Sequence, residues 1–197
     1  MTYYEQNLPH RHPPGRTIFL TWRLHGSLPQ EVLHALRAFP QNSAGIQFHA
    51  GEKELDNAKS GPLWLNDPRI AECVIARLVR GHTDLAQYVL YGFTLMANHV
   101  HILIEPNADL RSITNGVKGA TAREANLLLG REGEPFWQEE SFDLWIRDAA
   151  QFQRVRTYIE RNPVMAGLVT KPEDWPWSSA SPRYKLGDLA SAGNRTA

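Results

Sequence analysis

The chain has 197 residues, 42% hydrophobic and 10% aromatic, which is enough to form the core of one domain and argues against global disorder. Its 21 Lys and Arg balance its 21 Asp and Glu, which counts against a nucleic-acid binder unless one local face is basic. The single cysteine, Cys73, excludes an internal disulfide and a Cys-rich zinc site. Neither a signal peptide nor a membrane-spanning apolar run is present, so we expect a soluble cytoplasmic protein.

The first predicted elements follow an N-terminal arm at residues 1–16, which is rich in Pro, His and Arg and which we expect to be flexible. Residues 17–24 combine β-branched and aromatic side chains, which predicts a strand. Pro29 suits the first turn of a helix that runs to about residue 39. Residues 40–66 lack a clear period and indicate a long loop with no more than a short helix. A capped helix is predicted over 68–81.

The second half of the chain is predicted to contain a hairpin, two helices and one more strand. Strands at 87–96 and 99–105 are separated by a two-residue turn, which is typical of a hairpin. Apolar residues at helical spacing predict a helix over 108–129. Partial alternation over 136–146 favours a fourth strand with a bulge. The last main helix should begin at residue 149 and end near 161, before an Asn-Pro pair.

This order of elements, β-α-α-β-β-α-β-α, predicts an α+β domain with an antiparallel sheet of four or five strands and helices packed on it. We expect the domain to extend over residues 17–184. The final residues, 185–197, are expected to form a flexible C-terminal tail.

Two histidines, His99 and His101, stand one residue apart inside the strand predicted at 99–105. Side chains alternate between the two faces of a strand, so both imidazoles should project from one face while Val100 and Ile102 enter the core. Two adjacent imidazoles are a candidate metal site. The alternative is that one imidazole lies on the surface and the other is hydrogen-bonded.

Tyr158 and Asn162 are four residues apart in the last predicted helix and should therefore share one face. A tyrosine hydroxyl has a pKa near 10 and is a poor nucleophile at pH 7, but a nearby divalent cation would make it useful. The Asn162 amide oxygen is a candidate third ligand. The alternative is a tyrosine in the core and an asparagine at the end of the helix.

Five segments together resemble the single-tyrosine HUH transposases, and in particular the REP-associated tyrosine transposases. HUH denotes two histidines around a bulky apolar residue, here His99-Val-His101. The resemblance extends over roughly residues 14–184. The segments that carry it are FLTWRLHGSLP at 19–29, NHVHIL at 98–103, WQEESFDLWIR at 137–147, YIERNPVMAGLV at 158–169 and WPWSS at 175–179.

The resemblance implies a ferredoxin-like sheet with the HUH strand in a central position. It implies that His99 and His101 bind Mg²⁺ or Mn²⁺, with Asn162 as the third ligand, and that Tyr158 is the nucleophile. In this family the tyrosine attacks single-stranded DNA, which leaves a 5′-phosphotyrosine and a free 3′-OH, and members recognise short DNA hairpins. By this resemblance we expect a metal-dependent DNA endonuclease and strand transferase, bacterial and nucleoid-associated, acting as a monomer or homodimer.

DNA contacts would require a local basic surface. Residues 147–185 carry seven Arg and Lys against four Asp and Glu. Such a surface would bind phosphates with an affinity that falls as salt rises, although solvated arginines give the same pattern. The candidate DNA-binding residues are Arg16, Arg23, Lys118, Arg123, Arg147, Arg154 and Arg161.

Two other functions remain open at the level of sequence. A DNA-hairpin-binding protein that no longer transposes would share the fold but would not need an intact set of His99, His101, Tyr158 and Asn162. A structural zinc domain is disfavoured because the sequence offers only two good ligands.

Overall fold

A computed structural model describes residues 15–38, 44–57 and 61–184. The predicted C-terminal tail and all but the last two residues of the predicted N-terminal arm lie outside these ranges. Short 3₁₀ helices occur at Trp64–Asn66 and Pro172–Asp174. The main elements are β1 (Ile18–Arg23), α1 (Gln30–Arg37), α2 (Ala44–Asn57), α3 (Pro68–Thr83), β2 (Tyr88–Leu95), β3 (His99–Pro106), α4 (Leu110–Leu129), β4 (Phe142–Trp145) and α5 (Ala149–Met165).

The four strands form one antiparallel sheet in the order β2-β3-β1-β4. Together with the helices this is the split β-α-β arrangement of ferredoxin-like folds, and the predicted α+β class is confirmed. Strand β3, which carries both histidines, pairs with β2 on one side and with β1 on the other. The candidate site is therefore built on an inner strand, whose backbone is hydrogen-bonded along both edges.

Alternating side chains divide the core into two layers. On one face of the sheet, the strands pack against α3 and α4 through a large apolar cluster that includes Val100, Ile102 and Val117. On the other face, Phe19 and Leu103 pack against Ile159 and other residues of α5. The histidines and α5 therefore occupy the same face, and α3 and α4 occupy the opposite one.

Three predicted elements differ from the structure. The loop predicted at 40–66 contains the 14-residue helix α2, Ala44–Asn57. The fourth strand is restricted to Phe142–Trp145, and only an isolated bridge joins Trp137 to Leu24. Helix α5 continues to Met165 and so passes through Asn162 and Pro163.

Helix α5 tolerates Pro163 because of a contact from the sheet. A proline inside a helix has no N–H to donate to the carbonyl four residues earlier, which here belongs to Ile159. The hydroxyl of Thr94 on β2 donates to that carbonyl at 2.7 Å. The buried carbonyl is therefore satisfied, and the helix does not end where the sequence predicted.

No helix within the described residues is both long enough and apolar enough to span a membrane.

Candidate metal centre and tyrosine site

The β2–β3 hairpin places His99 and His101 side by side under α5. Both imidazoles have no solvent exposure, and their ring centroids are 4.7 Å apart. Val100 and Ile102 point into the opposite core, as the alternation predicts. Burial on an inner strand holds the two rings in fixed positions.

The second nitrogen of each ring is held by a neighbouring side chain. His99 Nδ1 lies 2.7 Å from Asn98 Oδ1, and the amide nitrogen of Asn98 donates to the Leu55 carbonyl of α2 at 3.0 Å. The Asn98 oxygen can only accept, so His99 Nδ1 carries the proton and Nε2 presents its lone pair to the site. His101 Nδ1 lies 2.7 Å from the Thr21 hydroxyl. Such contacts orient the ligands of metal sites.

A third candidate ligand, Glu52, comes from α2. Its Oε2 lies 2.9 Å from His101 Nε2 and 3.8 Å from His99 Nε2, and the side chain is 6% exposed. Among the described residues, Glu52, His99 and His101 form a group whose ligand atoms all lie within 4.8 Å of one another. The sequence analysis found only two good ligands, because it assigned this segment to a loop and Glu52 has no motif around it.

The unsatisfied polar atoms of the site fit a metal ion. Within the described ranges, buried atoms without a hydrogen-bond partner include Nε2 of both histidines, Oδ1 of Asp56 and both amide atoms of Asn162. Asp56 Oδ1 lies 3.8 Å from His99 Nε2. Adjacent ligands of one ion with bonds of about 2.1 Å are roughly 3 Å apart, so the Glu52–His101 distance suits a shared cation. Unpaired buried groups are costly unless a ligand satisfies them.

Tyr158 lies in the middle of α5 and points at the same carboxylate. Its hydroxyl donates to Glu52 Oε2 at 3.0 Å. Its ring lies edge-on to Phe19 and His101, with centroid distances of 6.1 Å and 5.8 Å. One carboxylate oxygen is therefore within 4 Å of both histidines and of the tyrosine hydroxyl.

Asn162 is placed one turn after Tyr158 on α5 and is fully buried. The expectation that Asn162 and Pro163 end the helix is wrong, and the side chain is an interior helical residue instead. The Asn162 amide acts to lower the pKa of the Tyr158 hydroxyl, so it lies near the phenol, although neither amide atom has a hydrogen-bond partner among the described residues. The role of Asn162 as a metal ligand stays a prediction.

The charges of the site are set by burial and by mutual contact. Burial alone would raise the pKa of Glu52, but His101, His99 and the Tyr158 hydrogen bond outweigh it and bring this pKa to about 2. Burial lowers the pKa of His99 to about 3. Burial and then the Glu52 charge raise the pKa of Asp56 to about 6. At pH 7 the protein therefore presents a neutral His99 and two carboxylates, which is the state that binds cations.

The Tyr158 hydroxyl is protonated at neutral pH. Burial is the largest reason that its pKa lies above the ordinary value near 10, and the charge of Glu52 and its hydrogen bond raise it further. A phenol in this state is a weak nucleophile, so chemistry at Tyr158 requires additional positive charge in the site.

A cleft of about 370 Å³ leads from solvent to the tyrosine. Its walls are one face of α2 and the C-terminal half of α5. The residues that line it are His49, Glu52, Lys53, Asp56, Asn57, Tyr158, Met165 and Ala166. The site is therefore open to a substrate from this side although both histidines are buried.

The predicted DNA-binding residues lie in three places in the structure. Lys118 and Arg123 lie on α4, across the sheet from Tyr158. Lys118 donates to the Glu139 carbonyl at 2.7 Å, and burial lowers its pKa to about 8. Arg23 ends β1 on the histidine face and donates to Ser27. The remaining four residues, Arg16, Arg147, Arg154 and Arg161, are exposed on or beside α5.

Comparison with known proteins finds a match to one family profile and a shared fold. Residues 69–162, which include both histidines, Tyr158 and Asn162, match the profile of the IS200-like transposases. The predicted resemblance to the tyrosine transposases is confirmed. Among the solved structures, a REP-associated tyrosine transposase bound to a REP hairpin has a TM-score of 0.53 and 18% identity, over 91% of this chain and 82% of that chain. At this identity the similarity shows that the two chains share a fold.

A candidate transposase from Deinococcus radiodurans R1 also matches, with a TM-score of 0.33 and 15% identity over 78% of this chain and 96% of that chain, and this similarity is too low to support an argument. None of the curated proteins matches the chain significantly.

Proposed function

We propose that the protein is a metal-dependent endonuclease and strand transferase that cuts single-stranded DNA through a covalent 5′-phosphotyrosine on Tyr158. The observation that carries the proposal is the convergence of His99, His101 and Tyr158 on one buried carboxylate oxygen of Glu52. A protein that only binds DNA has no use for this arrangement. The match to IS200-like transposases supports the same reaction class.

The reaction exchanges one phosphodiester for another. The Tyr158 oxygen attacks the scissile phosphorus, the bond from phosphorus to the 3′-oxygen breaks, and the strand is left with a free 3′-OH. The phenol proton passes to Glu52 along the hydrogen bond that is already formed, and the leaving 3′-oxygen takes up one proton from Glu52 or water, so the number of protons balances. A 3′-OH from another strand can then attack the phosphotyrosine, release Tyr158 and join the strands. The number of phosphoester bonds does not change, so no ATP is required.

The residues that would hold the cation are His99, His101 and Glu52, and two further candidates are Asp56, 3.8 Å from His99, and the amide of Asn162, which is unpaired among the described residues. Mixed imidazole and carboxylate donors suit Mn²⁺ and are also acceptable to Mg²⁺. When bound, the cation supplies Lewis-acid stabilisation of charge on the phosphate oxygens. The buried histidines would hold the ion in place, and the two carboxylates would offset its positive charge.

The proposed substrate is a DNA hairpin with single-stranded flanks. The solved transposase with the same fold is bound to a REP hairpin, and a cleft of about 370 Å³ opens beside Tyr158. A buried phenol cannot reach a phosphate within a packed duplex, so the cleaved segment should be unpaired. The expectation that the protein acts as a monomer or homodimer stays a prediction.

The test is a search for the covalent adduct. The protein is incubated with Mn²⁺ and a pool of hairpin-bearing single-stranded oligonucleotides and analysed by denaturing gel and peptide mass spectrometry. We expect a DNA adduct on the Tyr158 peptide that requires metal and disappears in Tyr158→Phe. The matched control is Tyr184→Phe, which removes a hydroxyl on the opposite side of the sheet, where the ring packs against Phe93, and should leave the adduct intact.

The outcome separates this proposal from the binding-only alternative. If the unaltered protein and Tyr158→Phe both bind hairpins tightly and neither forms an adduct, the result would favour a DNA-hairpin-binding protein without transposition activity. An adduct on another residue would exclude Tyr158 as the nucleophile.

A further inference from the structure

Helix α5 carries a row of basic side chains that passes directly beside Tyr158. Arg154 lies one turn before the tyrosine and Arg161 lies three residues after it, so all three share one side of the helix. Arg147 stands just before the N-cap, and its backbone N–H donates to Gln151 in the first turn. We call Arg147, Arg154 and Arg161 the arginine row.

The arginine row is exposed, and local acids do not neutralise it. Within residues 15–38, 44–57 and 61–184, no carboxylate forms an ion pair with Arg154 or Arg161. The remaining arginine of this helix, Arg156, behaves differently and pairs with Glu160 at 3.2 Å. Solvated arginines on a helix usually lie near acids three or four residues away. The absence of such partners along the row leaves its charge available to phosphates.

The spacing of the row suits a nucleic-acid strand. Seven helical residues rise by about 10 Å, and three nucleotides of a stacked strand, at about 3.4 Å each, cover the same distance. Tyr158 lies between two of the arginines, so a strand that contacts both would carry its middle phosphates past the mouth of the cleft. The long guanidinium side chains can bind phosphates on either side of the reacting one.

An exposed tryptophan lies at the edge of the sheet, close in sequence to the start of α5. Trp145 is 39% exposed at the end of β4, the last strand in the order of the described sheet, and because it pairs with Ile18 its side chain leaves the sheet at that edge on the face opposite α5. The Arg16 guanidinium lies 5.9 Å from the Trp145 ring centroid. Arg16 and Arg147 also line a cleft of about 370 Å³ at this point. An exposed tryptophan flanked by arginines can stack an unpaired base and bind its phosphate.

We propose that the arginine row forms a track that binds the single-stranded flank of the DNA along α5 and delivers a phosphate to Tyr158, and that this track continues round the β4 edge of the sheet to Trp145. This inference rests on the proposed function and adds the path of the strand. The track should prefer unpaired DNA to duplex DNA. Trp145 can stack only on a base whose face is exposed, and the bases of a duplex are already stacked on one another.

The experiment compares two charge-removing double variants, both in a Tyr158→Phe background so that no strand is cut. The first variant, Arg154→Ala with Arg161→Ala, removes two arginines of the row. The control, Arg80→Ala with Arg111→Ala, removes two exposed arginines from α3 and α4 across the sheet. Affinities are measured by fluorescence anisotropy from 50 to 300 mM salt. The probes are a hairpin with ten-nucleotide single-stranded flanks and the same hairpin with blunt ends.

We expect the first double variant to bind the flanked hairpin at least tenfold more weakly. The slope of log affinity against log salt should become shallower by about 1.4, which is two phosphate contacts at about 0.7 each for single strands. Binding of the blunt hairpin should not change, and neither should any binding by the control. Trp145→Ala should weaken binding of the flanked hairpin without changing the slope, because stacking carries no net charge.

Several results would overturn the track. If the row variant loses equal affinity for the flanked and the blunt hairpin, duplex DNA binds along α5. If its affinities and salt slopes are unchanged, the arginines are only solvated. If the row variants bind normally while the protein with Tyr158 intact still forms its adduct, the track fails and the proposed function stands. If the unaltered protein binds neither probe and forms no adduct, both fail.

Discussion

At the scale of single residues, Glu52 explains how so many polar groups can be buried together. An ionised carboxylate out of water is costly unless donors or cations surround it. Here Tyr158 donates to Glu52 and His101 lies 2.9 Å from it, which is why the pKa of Glu52 stays near 2 despite burial. The same carboxylate is a candidate cation ligand, and its charge helps to keep the phenol protonated.

The Thr21 hydroxyl should control metal affinity without touching the metal. Thr21→Val keeps the shape of the side chain but removes the hydrogen bond to His101 Nδ1, so the ring loses its fixed orientation. Loss of such an outer contact typically weakens metal binding 10- to 100-fold. Titration of Mn²⁺, followed by the EPR signal of the free ion, measures the change. Thr114→Val, on α4 across the sheet, is the control, and equal Mn²⁺ affinities for the two variants would contradict the prediction.

Asp56 should make the metal-free protein less stable as pH rises. Its pKa is about 6 when folded and 3.8 when free, so the folded state holds its proton more tightly. The associated stability is complete below pH 3.8 and is lost as pH rises through about 6. Because the side chain is partly exposed, we expect Asp56→Asn to stabilise the metal-free protein by only about 1–2 kcal/mol at pH 7.5, and by almost nothing near pH 4.

Urea unfolding in EDTA at both pH values tests this prediction about Asp56. Asp84→Asn is the control, because that carboxylate is exposed and its partners are Arg80 at 3.9 Å and the Thr83 hydroxyl, both outside the site. A stabilisation by Asp56→Asn that is the same at pH 4 and pH 7.5 would show that charge at this position is not its cause.

At the scale of elements, α2 shows why the sequence analysis missed Glu52, the third candidate ligand. A sequence predicts a helix best when one side is apolar, but the inner side of α2 presents His49, Glu52 and Asp56 to the site. Two glycines in the helix weaken the local preference further. The hairpin, α3 and α4 were predictable because apolar residues fill their inner sides. Polar residues that face a buried site give the same sequence pattern as a solvated loop.

Helix α5 was predicted to end too early because its continuation depends on a side chain from another element. We expect Thr94→Val to leave the Ile159 carbonyl buried without a donor and to destabilise the protein by about 1–3 kcal/mol in urea unfolding. Thr94→Ser keeps the hydroxyl and should retain most of this stability. Adding Pro163→Ala to Thr94→Val restores an N–H for the same carbonyl and should recover part of the loss. A change below about 0.5 kcal/mol in Thr94→Val would refute this explanation.

At the scale of the whole molecule, the sequence predicted the sheet and the face on which the histidines lie, since strand alternation determines both. It could not predict which distant segment covers that face. Glu52 is 47 residues before His99 in the chain, and the Asn98 amide joins the two segments by its bond to the Leu55 carbonyl. A metal bound by both segments would therefore stabilise the packing of α2 on the sheet.

We accordingly expect Mn²⁺ to stabilise the folded protein as a whole. Free Mn²⁺ at 100 times its Kd should add about 2.7 kcal/mol to the free energy of unfolding, because the ion binds the folded state only. Glu52→Gln keeps the shape of the side chain but removes the ligand charge, so the gain at the same Mn²⁺ concentration should shrink. Glu54→Gln, an exposed position two residues along α2, should keep the full gain. Urea unfolding with and without Mn²⁺ measures all three proteins, and an undiminished gain in Glu52→Gln would remove Glu52 from the metal site.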